Sequence, residues 1–114
     1  MSIEIINPWS GKAEYRYDHQ DAATVESILA KSRAAFEPWA ALAVAERSVF
    51  LGRIAASLRD NRERIGATMS AEMGKLHKEA LAEIEKCAAA CEYYSRHAID
   101  YLRDQPVEIG RAHV

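Results

Sequence analysis

The sequence is poor in the features that mark membrane, secreted and nucleic-acid-binding proteins. Its uninterrupted apolar runs are far shorter than the roughly 20 residues of a membrane span. The N-terminus, Met1-Ser2-Ile3-Glu4, lacks the basic and apolar regions of a signal peptide. A net charge of −2 supplies no cationic field for nucleic acid or anionic lipid, and the 2 cysteines make no disulfide framework. These absences predict a cytoplasmic protein with neither nucleic-acid nor membrane partners.

Turn formers and alternating residues near the N-terminus predict two short strands within residues 3–18. Asn7-Pro8-Trp9-Ser10-Gly11 is a turn cluster, in which proline fixes φ and glycine tolerates positive φ. Beyond it, Tyr15 and Tyr17 alternate with charged residues, which is the period of a half-buried strand. A lone hairpin is marginal in water, so we expect it to pack on another surface.

From residue 21 to about residue 104 the pattern is helical. Asp21 is placed to cap a first helix, because its carboxylate accepts from the free N–H groups of the first turn. Proline disfavours the helical conformation in the residue before it. Since Pro38 follows Glu37, we expect this helix to end near Phe36.

Two further helical regions follow. One begins near Ala45, bends near Asp60-Asn61 and stops at Gly74, a residue type common at helix C-termini. The other carries apolar residues at alternating spacings of four and three, which predicts a continuous seam for a neighbouring element. The seam consists of Ala80, Ile84, Cys87, Cys91, Tyr94, Ala98 and Tyr101. The whole pattern predicts a mainly α chain with an N-terminal β-hairpin.

Cys87 and Cys91 are the first candidates for a chemical site, because they lie one helical turn apart on the same face. His77 and His97 are each ten residues from Cys87, in opposite directions. At about 100° per residue they sit about 80° to either side of it, so the four side chains do not converge on a metal ion. Helical positions one turn apart are also poorly placed for a disulfide. We interpret the two cysteines as small apolar residues in the helix seam.

The acidic and aromatic residues of this region have structural interpretations too. Glu79 and Glu83 are flanked by lysines, so the carboxylates are interpreted as a solvated, ion-paired helix face, and the tyrosines are expected to pack with their hydroxyls at the rim. These residues are Glu72, Glu79, Glu83, Glu85, Tyr93, Tyr94 and Tyr101. Neither G-x-G-x-x-G nor a P-loop occurs, and Gly74-Lys75 is an isolated pair. We therefore predict no catalytic, cofactor-binding or metal-binding residue in this chain.

The order of short motifs along the chain resembles that of aldehyde dehydrogenases. Their NPxTG opening looks like Ile6-Asn7-Pro8 with Ser10-Gly11, although Trp9 and Lys12 depart from it. Their AF..W....R stretch resembles Ala34-Ala35-Phe36, Trp39 and Glu46-Arg47. A third run is similar to EMGK…EA..E…C…C.YY of the succinate-semialdehyde dehydrogenase branch. It comprises Glu72-Met73-Gly74-Lys75, Glu79-Ala80, Glu83, Cys87, Cys91 and Tyr93-Tyr94.

The resemblance implies that residues 1–107 are the N-terminal portion of the cofactor-binding domain in an α/β, Rossmann-like enzyme. In this family a cysteine attacks the aldehyde, hydride passes to NAD or NADP, and a glutamate activates the water that releases the acid. The complete enzyme is expected to oxidise a small aldehyde, succinate semialdehyde in this branch, as a homo-oligomer. Neither Cys87 nor Cys91 matches the catalytic cysteine, and Glu72 does not match the base. The chain alone is therefore predicted to be inactive.

Residues 108–114 read as the in-frame translation of a sequencing-library adapter, so we expect an artefactual tail on a truncated reading frame. A fragment of this kind should expose apolar stripes, unfold with weak cooperativity and self-associate. Two other interpretations remain open. One is a stand-alone helical interaction module that docks a partner helix on the seam of the last helix, and the other is a metal or redox helix built on Cys87 and Cys91.

Overall fold

The computed structural model describes residues 1–110 and has two strands followed by four helices. The strands are β1, Ser2–Ile6, and β2, Ala13–Asp18. The helices are α1, Ala22–Ala41; α2, Val44–Asp60; α3, Arg62–Met73; and α4, His77–Tyr101. The predicted mainly α chain with an N-terminal hairpin is confirmed, and the last helix ends slightly before the predicted limit near residue 104. Of the predicted artefactual tail, residues 111–114 lie outside the described residues.

The two strands pair antiparallel, with Ile3 opposite Tyr17 and Ile5 opposite Tyr15. Gly11 closes the turn with a φ of +68°, and its N–H donates to the Asn7 carbonyl at 2.8 Å. The prediction that β2 is half-buried is wrong, because every residue of this strand is exposed. No residue of β1 is buried either, and side-chain hydrogen bonds from Trp9 and Tyr17 join the hairpin to the end of α3.

Helix α1 begins as predicted but continues past the predicted end near Phe36. The Asp21 carboxylate accepts from the Thr24 N–H at 2.7 Å, which confirms the cap. Pro38 lies inside the last turn of the helix, which ends at Ala41. Proline removes one N–H donor near the end of an exposed helix, where water can satisfy the carbonyl that loses its partner. No residue of α1 is buried.

Helix α4 packs against both α2 and α3, which meet at a break at Asn61. The chain direction is antiparallel, since Arg59 contacts Glu85 and Glu92 whereas the earlier Ser48 contacts Ser95. The buried residues are small apart from one isoleucine: Ser48, Ala55, Gly66, Ala80, Ile84 and Ala88. Small side chains let the helix backbones approach closely, so this helical hairpin is the only packed core within residues 1–110.

The buried row of α4 differs from the predicted seam. Ala80, Ile84 and Ala88 are buried at successive spacings of four, whereas Cys87 is exposed and Cys91 is half-buried. Tyr94 and Tyr101 are also exposed. The interface follows the row in which residues repeat every four positions, one of the two ridge directions by which helices pack. The prediction of a buried Cys87 is therefore wrong.

Candidate functional site

The residues considered for metal chemistry are separated in the structure. His77 Nε2 lies 3.1 Å from Glu63 Oε2, and the His97 ring lies against Tyr93 with centroids 4.4 Å apart. Neither histidine contacts Cys87 or Cys91. Within the described part of the chain, no three histidine, cysteine, aspartate or glutamate side chains are grouped closely enough to hold a metal ion.

The carboxylates do not form one common face. Glu83 pairs with Lys75, as the sequence interpretation expects. Glu72 instead accepts from the Tyr17 hydroxyl at 3.4 Å, so it joins β2 to the end of α3. Glu85 pairs with Arg59 of α2 rather than with a lysine of its own helix. The lysine pattern along α4 therefore accounts for only part of the acidic set.

The tyrosines of α4 form an exposed aromatic cluster rather than a ligand cage. Tyr93 packs edge-to-face on Tyr94, with centroids 5.3 Å apart, and its hydroxyl is hydrogen-bonded to that of Tyr101. This hydrogen bond, with some burial, raises the pKa of the Tyr101 phenol. The expectation of packing with hydroxyls at the rim is confirmed for Tyr93 and Tyr101.

Arg59 joins α2 to α4 through hydrogen bonds to two carboxylates, and the sequence analysis did not identify it. Its Nη2 donates to Glu85 Oε1 at 2.8 Å, and its Nη1 donates to Glu92 Oε1 at 2.6 Å. The two carboxylates lie seven residues apart, which places them on one face of α4. A guanidinium suits this position because its planar fork reaches two carboxylates at once.

These hydrogen bonds predict acid sensitivity of the α2–α4 contact. Hydrogen bonding from Arg59 lowers the pKa of both Glu85 and Glu92 below the ordinary value of 4.5. A carboxylate whose folded-state pKa is lowered stabilises the fold above its unfolded pKa and loses that contribution as the pH falls through the folded value. We expect helicity to fall in an acid titration followed by circular dichroism from about pH 4.5 downwards. The double variant Glu85→Gln/Glu92→Gln should lose part of this pH dependence, and an unchanged titration would contradict the assignment.

The hairpin turn contacts the C-terminus of α3. Trp9 Nε1 donates to the Gly74 carbonyl at 2.9 Å. Gly74 has a φ of +70°, which confirms the predicted helix stop. A Cβ at this position would lie 2.7 Å from Pro8 Cγ, so glycine is required both by the backbone conformation and by the space. The two sequence motifs Asn7-Pro8 and Gly74-Lys75 thus meet in one contact.

The helix N-termini carry negative charge. Asp21 caps α1, Glu46 accepts from the Ala43 N–H at 2.9 Å before α2, and Glu63 and Glu79 lie in the first turns of α3 and α4. A nucleotide phosphate binds a helix N-terminus through free N–H donors and the positive end of the helix dipole. Carboxylates at these positions repel phosphate, so these four helix N-termini do not fit the pyrophosphate of NAD or NADP.

A further feature without an assigned role is an exposed apolar surface. Leu29, Phe36 and Trp39 line an open groove of about 890 Å³ beside α1. Trp39 also lines a second groove of about 270 Å³ between α2 and α4, where its ring meets Phe50 at 5.1 Å. Trp39 is thus shared by the two grooves. We call the two grooves together the Trp39 surface.

The overall dimensions show that the chain is less compact than a globular domain of the same length. The accessible surface is 9538 Å², compared with roughly 6,200 Å² for a compact protein of this mass. The radius of gyration is 21.2 Å, compared with about 13 Å for a compact domain. No described helix is long and apolar enough to cross a membrane. The chain is thus more extended than a compact domain of its length, and exposed large apolar side chains occur on both strands and on all four helices.

The fold and the motif contacts define a class of protein. The sequence pattern of the aldehyde dehydrogenase family matches residues 1–113, and the chain belongs to that family. A probable succinate-semialdehyde dehydrogenase [NADP(+)] from Synechocystis is 33% identical over 94% of this chain and 24% of its own length. An N-succinylglutamate 5-semialdehyde dehydrogenase from Shigella boydii is 41% identical over 68% of this chain and 16% of its own length.

A solved structure shows the same arrangement of elements. Succinic semialdehyde dehydrogenase from Streptococcus pyogenes, in complex with NADP+, superposes with a TM-score of 0.85 at 26% identity. The superposition covers 93% of this chain and 24% of that one. The chain thus spans a quarter or less of the length of the relatives that it matches.

Proposed function

We propose that residues 1–107 form the N-terminal, non-catalytic part of the cofactor-binding domain of an NAD(P)-dependent aldehyde dehydrogenase. The observation that carries the proposal is the Trp39 surface on a chain that matches about a quarter of its relatives' length. Apolar surface of this extent on a soluble domain marks a packing face. In the complete enzyme this face would pack on the remainder of the fold.

The substrate is proposed to be a small semialdehyde, with succinate semialdehyde as the first candidate. Two relatives from different organisms are named for semialdehydes that derive from succinate or a succinyl compound. Catalysis would proceed through a cysteine, a glutamate and the nicotinamide, all supplied outside residues 1–107. Within the described residues, Cys87 is exposed on α4 and Cys91 is half-buried. Neither cysteine contacts a histidine or a nest of backbone N–H donors, as an activated nucleophile requires.

The first test is an activity assay on the purified chain. We expect no NADH or NADPH formation from succinate semialdehyde with either oxidised cofactor, with the Synechocystis relative as the positive control. Turnover by the chain alone would overturn the assignment of catalysis to other residues. Sequencing the source gene through the codon for Val107 tests the parent enzyme directly. We expect a frame that continues into a dinucleotide-binding segment followed by a glutamate and a cysteine.

The second candidate is a stand-alone helical interaction module, and the α2–α4 packing favours it to a limited extent. In that case the chain would be a monomer with a sharp thermal transition that does not depend on protein concentration. The proposed packing face predicts the opposite: helical circular dichroism, a broad transition, and association in sedimentation experiments as concentration rises. Sedimentation and melting over a range of concentrations therefore distinguish the two candidates.

A further inference from the structure

Cys87 and Cys91 present two thiols to solvent from one rigid helix. Cys87 is exposed and Cys91 is half-buried, and neither is in a disulfide. They lie one turn apart on α4, at the flank of the buried row of Ala80, Ile84 and Ala88 that holds this helix against its neighbours. The two side chains therefore share a side of the helix and cannot move far apart while α4 remains folded.

The spacing of the two cysteines distinguishes between possible thiol chemistries. Residues four apart on a helix have Cβ atoms about 5–6 Å from each other, whereas a disulfide needs about 3.5–4.5 Å. A metal ion between two thiolates adds two bonds of about 2.3 Å each, so the sulfurs can stand as much as about 4.6 Å apart. The spacing that strains a disulfide is thus suitable for a bridging ion.

The number of ligands restricts which ion can bind. A structural zinc site takes four protein ligands, and no third histidine, cysteine, aspartate or glutamate joins the pair within residues 1–110. Monovalent copper is soft and prefers thiolates. It also forms stable complexes with only two of them. Two lysines and two glutamates line the shallow groove that contains Cys87, so the groove has no net charge and the affinity is assigned to the two thiolates alone.

We propose that Cys87 and Cys91 form a two-coordinate site for Cu(I). Both thiols lose a proton to solvent and each sulfur donates one electron pair to the ion, so neither copper nor sulfur changes oxidation state. This site is independent of the proposed dehydrogenase role, because it uses only side chains of α4.

The test is anaerobic titration of the full chain with Cu(I) against a chromophoric copper chelator. We expect one ion per chain to be withheld from the chelator. Cys87→Ser and Cys91→Ser should each weaken copper binding on the order of a hundredfold or more. A single thiol lacks the high effective concentration of a second thiol on the same helix. Circular dichroism checks that both variants keep the helicity of the parent chain.

A variant with the same number of thiols provides the matched control. In Ala89→Cys/Cys91→Ser the second thiol lies two residues from Cys87, about 200° around the helix, and both positions are on exposed turns of α4. This variant should bind as weakly as the single-serine variants. Equal binding by this variant and the parent, or one copper ion shared between two chains, would overturn the intrahelical site.

Discussion

Gly74→Ala should detach the hairpin from α3 and destabilise the chain. A left-handed backbone costs an alanine about 1–2 kcal/mol, and here its Cβ would also lie 2.7 Å from Pro8 Cγ and 3.3 Å from Trp9 Nε1. The proline ring must therefore move, which breaks the hydrogen bond from Trp9 to the Gly74 carbonyl. The measurement is Trp9 fluorescence in a Trp39→Phe background, together with a urea titration. Because Trp9 is already 71% exposed, we expect a lower urea midpoint as the main effect, with a small shift of Trp9 emission from the lost hydrogen bond.

Gly11→Ala separates the two causes of this effect. Gly11 has a φ of +68°, close to the +70° of Gly74, but a Cβ at Gly11 meets nothing within 4 Å. Its variant should suffer only the backbone penalty and leave the emission of Trp9 unchanged in the same background. If both variants changed stability and Trp9 emission equally, the contact between the turn and α3 would contribute nothing to the stability of the chain.

Ala88→Leu should disrupt the packing of α4 against α2. Ala88 has a relative exposure of 0%, so no space is available for three additional carbon atoms. Forcing a larger side chain into a close-packed interface typically destabilises a protein by about 1–3 kcal/mol. Separation of the two helices would also lengthen the contacts of Arg59 with Glu85 and Glu92. We expect a lower thermal midpoint and stronger association in sedimentation experiments, because more apolar surface becomes exposed.

Ala89→Leu is the control for the same change in side chain on the same helix. Ala89 is exposed and leucine is nearly as good a helix former as alanine, so this variant should melt close to the parent chain. Equal destabilisation by the two substitutions would show that α4 is not packed on α2 in solution. An unchanged Ala88→Leu variant would contradict the buried row of Ala80, Ile84 and Ala88.

The sequence analysis misassigned some residues and overlooked others for the same reason. Cys87 was assigned to the seam because the apolar residues of α4 fit two rows equally well. One row has alternating spacings of four and three, and the other, which is the buried one, has successive spacings of four. The neighbouring helix selects the row that is buried, and α4 taken alone contains no information about that neighbour. Arg59 was missed for a similar reason, since its partners Glu85 and Glu92 lie 26 and 33 residues away. Pro38 was overinterpreted, because proline near an exposed helix end costs little.

The sequence by itself determined the order of the elements, two of their capping residues and the family. Asp21, the Asn7–Gly11 turn and Gly74 act through backbone groups within a few residues, so their local effects can be predicted without the fold. Only the tertiary structure decided that Trp9 reaches the Gly74 carbonyl across 65 residues, and that no residue of α1 is buried. Contacts of this kind depend on how whole helices are placed, and that placement is set by the sum of many weak packing interactions rather than by any local pattern.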